Sequence, residues 1–148
     1  LDGQDNTALE SILVGNYEID EARGNPQWDG DGSNLFILEN LDGLEGCTNR
    51  KEVRIQSAGI SDISGLADSE KLEVVELPGN EINEISVLAD KPNLKVLDIR
   101  NNRIKSIDAL QNLRRLNTVN VSGNPLIDVS VLKLLPFSET YTNLHKAD

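Results

Sequence analysis

The sequence predicts an α/β solenoid built from stacked 22-residue coils, and two observations lead to this prediction. Residues 72–93, 94–115 and 116–137 align with one another without a gap. Within each copy, apolar residues first alternate and then recur at every third position. One such coil cannot bury its apolar face alone, so successive coils are expected to stack and share one core. The aligned sets are Leu72, Leu94 and Leu116; Val75, Leu97 and Val119; Leu77, Ile99 and Val121; Ile82, Ile104 and Leu126; Ile85, Ile107 and Val129; and Leu88, Leu110 and Leu132.

The first half of each coil has the pattern of a short β-strand. Side chains alternate across a strand, so Val75 and Leu77 are expected to point inward together, as are their counterparts in the next two coils. An asparagine follows three residues after the second inward position of each coil. Its amide carries both donors and acceptors, so it can satisfy the backbone of a sharp turn from inside the coil. We therefore expect a buried, hydrogen-bonded ladder of Asn80, Asn102 and Asn124.

The second half of each coil is spaced I-x-x-I-x-x-L. A period of three is typical of a tight helical or 3₁₀-like return segment. A set of ordinary amphipathic helices is the competing interpretation. Prolines and glycines at the predicted turns argue against it, because they interrupt helices there. These residues are Pro78, Gly79, Pro92, Gly123 and Pro125.

The pattern L-x-x-L-x-L-x-x-N-x-L resembles the 22-residue class of leucine-rich repeat, over roughly residues 36–137. That class includes bacterial internalins and the regulatory subunit of protein phosphatase 1. The phrases NEISVLAD, KSIDALQN and ISDISGLAD are most similar to the internalin-like branch. The resemblance implies a right-handed solenoid with a short parallel sheet on its concave face. It also implies that the usual work of such a domain is protein binding.

The repeats divide the chain into an acidic N-terminal cap (1–35), the repeats (36–137) and a C-terminal cap and tail (138–148). The pattern weakens toward the N-terminus, where Arg50 replaces the opening leucine. Thr7 to Glu10 has the form of a capping box, and Ala8, Leu9, Ile12 and Leu13 share one helical face, so we predict a short N-terminal helical cap. At the other end, SETYTN is expected to add a partial strand, with Tyr141 in the row of Val119.

Composition excludes several classes of function. The net charge is −11, and residues 1–48 hold eleven acidic residues against one basic residue, Arg23. Such a balance disfavours nucleic acid and anionic membranes as partners. No apolar stretch is long enough to cross a membrane. One cysteine, Cys47, excludes an internal disulfide and is expected to be a small packing residue. The absence of methionine indicates a processed protein or a fragment.

The sequence offers no catalytic constellation and implies no cofactor. The single histidine, His145, is near the C-terminus, and no phosphate-binding loop is present. Asp29 and Asp31 have the alternate spacing that begins a calcium loop, but Asn34 and Asn40 stand where that loop needs glycine and glutamate. We therefore predict a protein that is not an enzyme, with no metal site and with Asp29 and Asp31 as weak candidates only.

The outward positions of the strands are the candidate binding surface. Neighbouring strands lie about 4.8 Å apart, so side chains at equivalent positions form rows across the coils. One row contains a small apolar patch, and the next brings two carboxylates side by side, which a partner's Arg or Lys would relieve. The candidate partner-binding residues are Glu52, Arg54, Val74, Glu76, Val96, Asp98, Arg100 and Asn120.

Three functional interpretations are left open by the sequence. The first is a monomeric bacterial protein-binding module, possible as an exported or surface-associated protein, and it is the preferred one. The second is an intracellular scaffold or an adaptor similar to a phosphatase regulator. The third is a structural spacer in a longer polypeptide. The partner's identity and the role of residues 15–34 cannot be derived from the sequence.

Overall fold

A computed structural model describes residues 11–14, 41–42, 48–136 and 139–141. Six short strands form one parallel sheet in chain order. The strands are β1 (Ser11–Val14), β2 (Glu52–Ile55), β3 (Val74–Glu76), β4 (Val96–Asp98), β5 (Thr118–Asn120) and β6 (Glu139–Tyr141). Each coil therefore contributes one strand, and each strand pairs with the strand of the preceding coil. This is the sheet of stacked coils that the repeat predicts.

The repeat period sets the register of the central sheet. Val53, Val75, Leu97 and Val119 are successive Cα partners, 22 residues apart along the chain. All four side chains are fully buried, while the strand residues on either side of them are half-buried. The alternation read from the sequence therefore corresponds to one face inside the solenoid and one face outside it.

The return segments contain short 3₁₀ helices: Ser64–Leu66, Ser86–Asp90, Asp108–Leu110 and Ser130–Leu134. Their period of three matches the spacing of the buried residues Ile82, Ile85 and Leu88 and of their counterparts in other coils. No α-helix occurs among the described residues. The helical component of the predicted fold is thus 3₁₀ in the part of the chain that the structure describes.

A single aliphatic core runs through the coils. It extends from Leu41 to Leu135 and consists almost entirely of Leu, Ile and Val side chains. Burying one such side chain contributes about 1.5–3 kcal/mol, so the stack is held together mainly by this continuous row of contacts. The last coil is less enclosed, because Leu126 and Val129 are only partly buried while Ile104 and Ile107 are fully buried.

The predicted N-terminal helix is wrong over residues 11–14. These residues form β1, which pairs in parallel with β2 in the register Ser11 to Glu52. Exposed backbone groups on the edge of β2 offer hydrogen bonds that a helix could not use. The offset between β1 and β2 is 41 residues, against 22 between β2 and β3. The helical interpretation of Ile12 and Leu13 gave too little weight to the competing strand pairing. Ala8 and Leu9 lie outside the described residues.

The predicted C-terminal strand is present, but its register is shifted by one residue. Thr140 pairs with Val119, and Tyr141 pairs with Asn120. Counting forward by 22 had placed Tyr141 in the row of Val119. The connection into β6 is therefore one residue shorter than a regular coil, and such a slip moves every position to the other row of the sheet.

Candidate binding surface

The turns beneath the binding surface are held by the asparagine positions. The Asn102 Nδ2 group donates to the carbonyl oxygens of Leu77 and Ile99, both at 2.9 Å, and its Oδ1 accepts the Ile82 N–H at 3.0 Å. Asn80 and Asn124 make the equivalent bonds in their own coils. Each amide thus joins the backbone of two successive coils, because it has donors and an acceptor on one rigid plane.

Backbone conformation at these turns repeats with the coil. Ser57, Gly79, Asn101 and Gly123 are spaced by 22 residues, and all four have a positive φ, between 52° and 71°. Glycine adopts this left-handed conformation without steric cost, and asparagine tolerates it better than most residues. The turns therefore end each strand at the same height, which aligns the outward residues of neighbouring strands.

The outward strand residues form two rows on what we call the sheet face. The first row is Glu52, Val74, Val96 and Thr118, and the second row is Arg54, Glu76, Asp98 and Asn120. All eight side chains are half-buried. Arg100 follows β4 and is exposed. The structure thus brings the eight predicted binding residues together on one continuous surface.

Arg54 holds the acidic end of the sheet face together. Its Nε donates to Glu76 Oε2 at 2.7 Å, and its Nη1 donates to Glu52 Oε2. Partial burial lowers the pKa of Arg54, but the hydrogen bonds and charges of Glu52 and Glu76 outweigh it and raise the pKa above its usual value. Both carboxylates are therefore neutralised by one guanidinium from the same protein.

Asp98 is placed differently from Glu76. Its side chain is only 20% exposed, and its Oδ1 accepts the Arg100 N–H at 3.2 Å. The Arg100 Nε atom lies 3.6 Å from Asp98 Oδ2. Burial raises the pKa of Asp98; the N–H bond and the charge of Arg100 oppose this, and the charge of Glu76 adds to it. Asp98 is thus a carboxylate with weak charge compensation.

An open depression of about 300 Å³ lies on the sheet face between β3 and β5. Two carboxylates, one guanidinium and small uncharged groups line it. The lining residues are Glu76, Val96, Leu97, Asp98, Arg100, Thr118 and Asn120. The arrangement can receive a side chain that is apolar at one end and cationic at the other. Thr118 belongs to this set, although sequence reasoning did not place it among the binding residues.

A second depression, of about 310 Å³, lies between the return segments of two coils. Ser61, Asp62, Ser64, Asn83, Glu84 and Ser86 form its polar part. Asp62 Oδ1 and Glu84 Oε1 each accept the N–H of the serine two residues later, at 2.8 Å. The 22-residue spacing of these acid–serine pairs was the signal that could have drawn attention to it, but the carboxylates already serve the backbone.

Within the described ranges, no three His, Cys, Asp or Glu side chains group closely enough to hold a metal ion. No helix in those ranges is long and apolar enough to cross a membrane. The weak calcium candidates Asp29 and Asp31, together with Cys47 and His145, lie outside the described residues.

Comparison with known proteins identifies the class. Residues 92–134 match the family model of leucine-rich repeats in two copies. The chain is therefore a leucine-rich repeat protein, as the 22-residue pattern predicted, and it is internalin-like. Internalin C2 from Listeria monocytogenes has 28% identical residues and a TM-score of 0.63, over 66% of this chain and 43% of that chain.

A second internalin from Listeria monocytogenes, inlF, shares the fold at 19% identity, with a TM-score of 0.53. That match covers 72% of this chain and 39% of that chain. The chain thus spans less than half the length of either structure. No curated protein matches the sequence.

Proposed function

We propose that this chain is a non-catalytic protein-binding module that uses the sheet face as its binding surface. The observation that carries the proposal is the continuous outward surface of β2 to β5, in which apolar and charged rows lie side by side. A preformed surface loses little conformational entropy on binding. Mixed charge around a small apolar centre is typical of an interface that forms and dissociates.

The likeness to internalins supports this proposal at the level of class. In the same proposal, residues 36–137 are the binding repeats, and the segments 1–35 and 138–148 act as caps through β1 and β6. Edge strands pair readily with other chains unless they are covered, so both end strands protect the repeats between them. The setting we propose is the bacterial cell exterior, and fractionation of the source cells with an antibody against the chain tests it.

The test of the binding surface uses a partner that is first captured from the source organism with the wild-type chain and then purified. Glu76→Lys with Asp98→Lys reverses two charges on the sheet face. Glu84→Lys with Asp108→Lys makes the same change in net charge on exposed return segments and is the matched control. Surface plasmon resonance at low and high salt then measures association with each chain.

We expect the sheet-face reversal to slow association at low salt by about tenfold or more and to change its salt dependence, since charge complementarity acts mainly on the association rate. The control should associate like wild type. Equal rates for wild type and the sheet-face variant overturn the proposal, as does a larger effect of the control. A structural spacer would bind nothing through this surface, so the same measurement separates that alternative.

A further inference from the structure

The second row of the sheet face places two carboxylates next to each other. Glu76 and Asp98 are Cα partners in β3 and β4. Like charges directly opposite each other destabilise a sheet. Arg54 relieves this only on the Glu76 side, because its guanidinium is already engaged by Glu52 and Glu76. The row therefore carries an excess of negative charge at Asp98.

The fold itself does not need a carboxylate at position 98. Asn120 occupies the same position in the next coil, and its Oδ1 accepts the Ser122 N–H at 3.2 Å, as Asp98 Oδ1 accepts the Arg100 N–H at 3.2 Å. An uncharged amide thus does the structural work one coil away. A side chain whose charge opposes folding without a structural purpose is a candidate for a functional role.

The surroundings of Asp98 suit a cationic, partly apolar side chain. Asp98 and Arg100 line the depression on one side and Thr118 and Asn120 on the other, with Val96 beside them. The apolar row lies two residues before the charged row, or about 7 Å along the strand. The net charge of −11 would also attract a basic partner from a distance.

We propose, building on the function proposed above, that the depression between β3 and β5 docks an extended segment of a partner protein, whose Lys or Arg side chain pairs with Asp98 while a small apolar neighbour packs on Val74 and Val96. Glu76 contributes to the negative field but keeps Arg54 as its own counterion. Asp98 is therefore the residue that selects a basic side chain. The raised pKa of Asp98, caused first by burial, means that pairing with a cation would lower it.

The probe for this inference is a blocked peptide, acetyl-Val-Ala-Arg-amide, titrated into the ¹⁵N-labelled chain. The same peptide with citrulline in place of arginine is the isosteric uncharged control. Wild type, Asp98→Asn and Glu84→Gln are compared, the last removing a carboxylate from the other depression. Backbone N–H shifts report which surface the peptide touches.

We expect saturable shifts at Asp98, Arg100 and Asn120 with the arginine peptide, at least about fivefold weaker binding by Asp98→Asn, and no change for Glu84→Gln. The citrulline peptide should bind wild type as weakly as the arginine peptide binds Asp98→Asn. Equal affinity of wild type and Asp98→Asn overturns the inference, as do shifts confined to the return segments. If the purified partner nevertheless responds to the charge reversals, the sheet face stands as the binding surface and only the basic side chain is wrong.

Discussion

Lys91 donates its ammonium group to the carbonyl oxygen of Ala67, in the preceding coil, at 2.8 Å. Only 2% of Lys91 is exposed. Burial lowers the pKa of Lys91, and the nearby negative charges of Glu70, Asp90 and Asp68 only partly offset this. The equivalent position in the next coil is Leu113, also buried, so the same site accepts a lysine or a leucine.

We predict that Lys91→Leu stabilises the protein at neutral pH by about 1 kcal/mol, because replacing a buried charge by a packed apolar group is often favourable. Chemical denaturation measures it. A lowered pKa means that folding opposes the charged form, so the wild type should gain on the variant as pH rises toward about 10.4, the pKa of an unperturbed lysine. Lys91→Ala, which removes the packed stem as well, should lose stability. A destabilised leucine variant would show that the bond to Ala67 outweighs burial.

Asp98→Asn is predicted to stabilise the fold at neutral pH by about 0.2–1 kcal/mol, the range for a cross-strand charge interaction. The raised pKa of Asp98 means that the folded state disfavours the ionised form. The penalty is absent below the unfolded pKa of about 3.9 and is fully developed above the folded pKa. The stability difference between variant and wild type should therefore grow from acid to neutral pH in urea melts.

Asp62→Asn is the control of opposite sign for that measurement. The backbone N–H of Ser64 bonds to the Asp62 carboxylate and lowers its pKa. This contribution to stability is present at neutral pH and is lost as pH falls through the folded pKa. The Asp62→Asn variant should be less stable than wild type at neutral pH and equal to it in acid. The same trend for both variants would contradict the assignment of Asp98 as a poorly compensated carboxylate.

Asn102→Leu is predicted to cost about 3 kcal/mol or more. The Ile82 N–H and the carbonyl oxygens of Leu77 and Ile99 would lose a buried partner, at about 1–3 kcal/mol for each unsatisfied group. Asn124→Leu should cost less, because Asn124 is only half-buried and water can replace its bonds. Differential scanning calorimetry ranks the two variants. A melting temperature of Asn102→Leu equal to wild type would rule out the bridging role of this amide.

Gly79→Ala is predicted to destabilise the turn after β3 by about 1–2 kcal/mol, the cost of a left-handed backbone for a residue with a Cβ. Its φ is +69°, and an added Cβ would lie 2.8 Å from Ser57 Oγ. Ser57→Gly, at the same position one coil earlier, should raise stability, since Ser57 has a φ of 52°. Urea unfolding of both variants and the double variant measures it. A neutral Gly79→Ala would contradict the strain argument.

The sequence by itself determined the coil. The spacing of Leu, Ile and Val specified which residues are buried, since a 22-residue period with inward alternation leaves only one way to stack. Asn80 and Asn102 were identified because a buried turn needs donors and acceptors within one side chain. The outward rows, including Glu76 beside Asp98, followed from the same period and from the geometry of a parallel sheet.

Only the tertiary structure decided the ends and the charges. β1 pairs 41 residues away from β2, because the free edge of a sheet accepts any strand that reaches it, whatever its place in the repeat. β6 pairs one residue out of period because its connection is shorter. Arg54 pairs with Glu76 and leaves Asp98 half-buried with a weak counterion, which depends on side-chain directions and burial that a repeat count does not contain. Local periodicity is written along the chain, whereas edge pairing and desolvation arise only when distant segments meet.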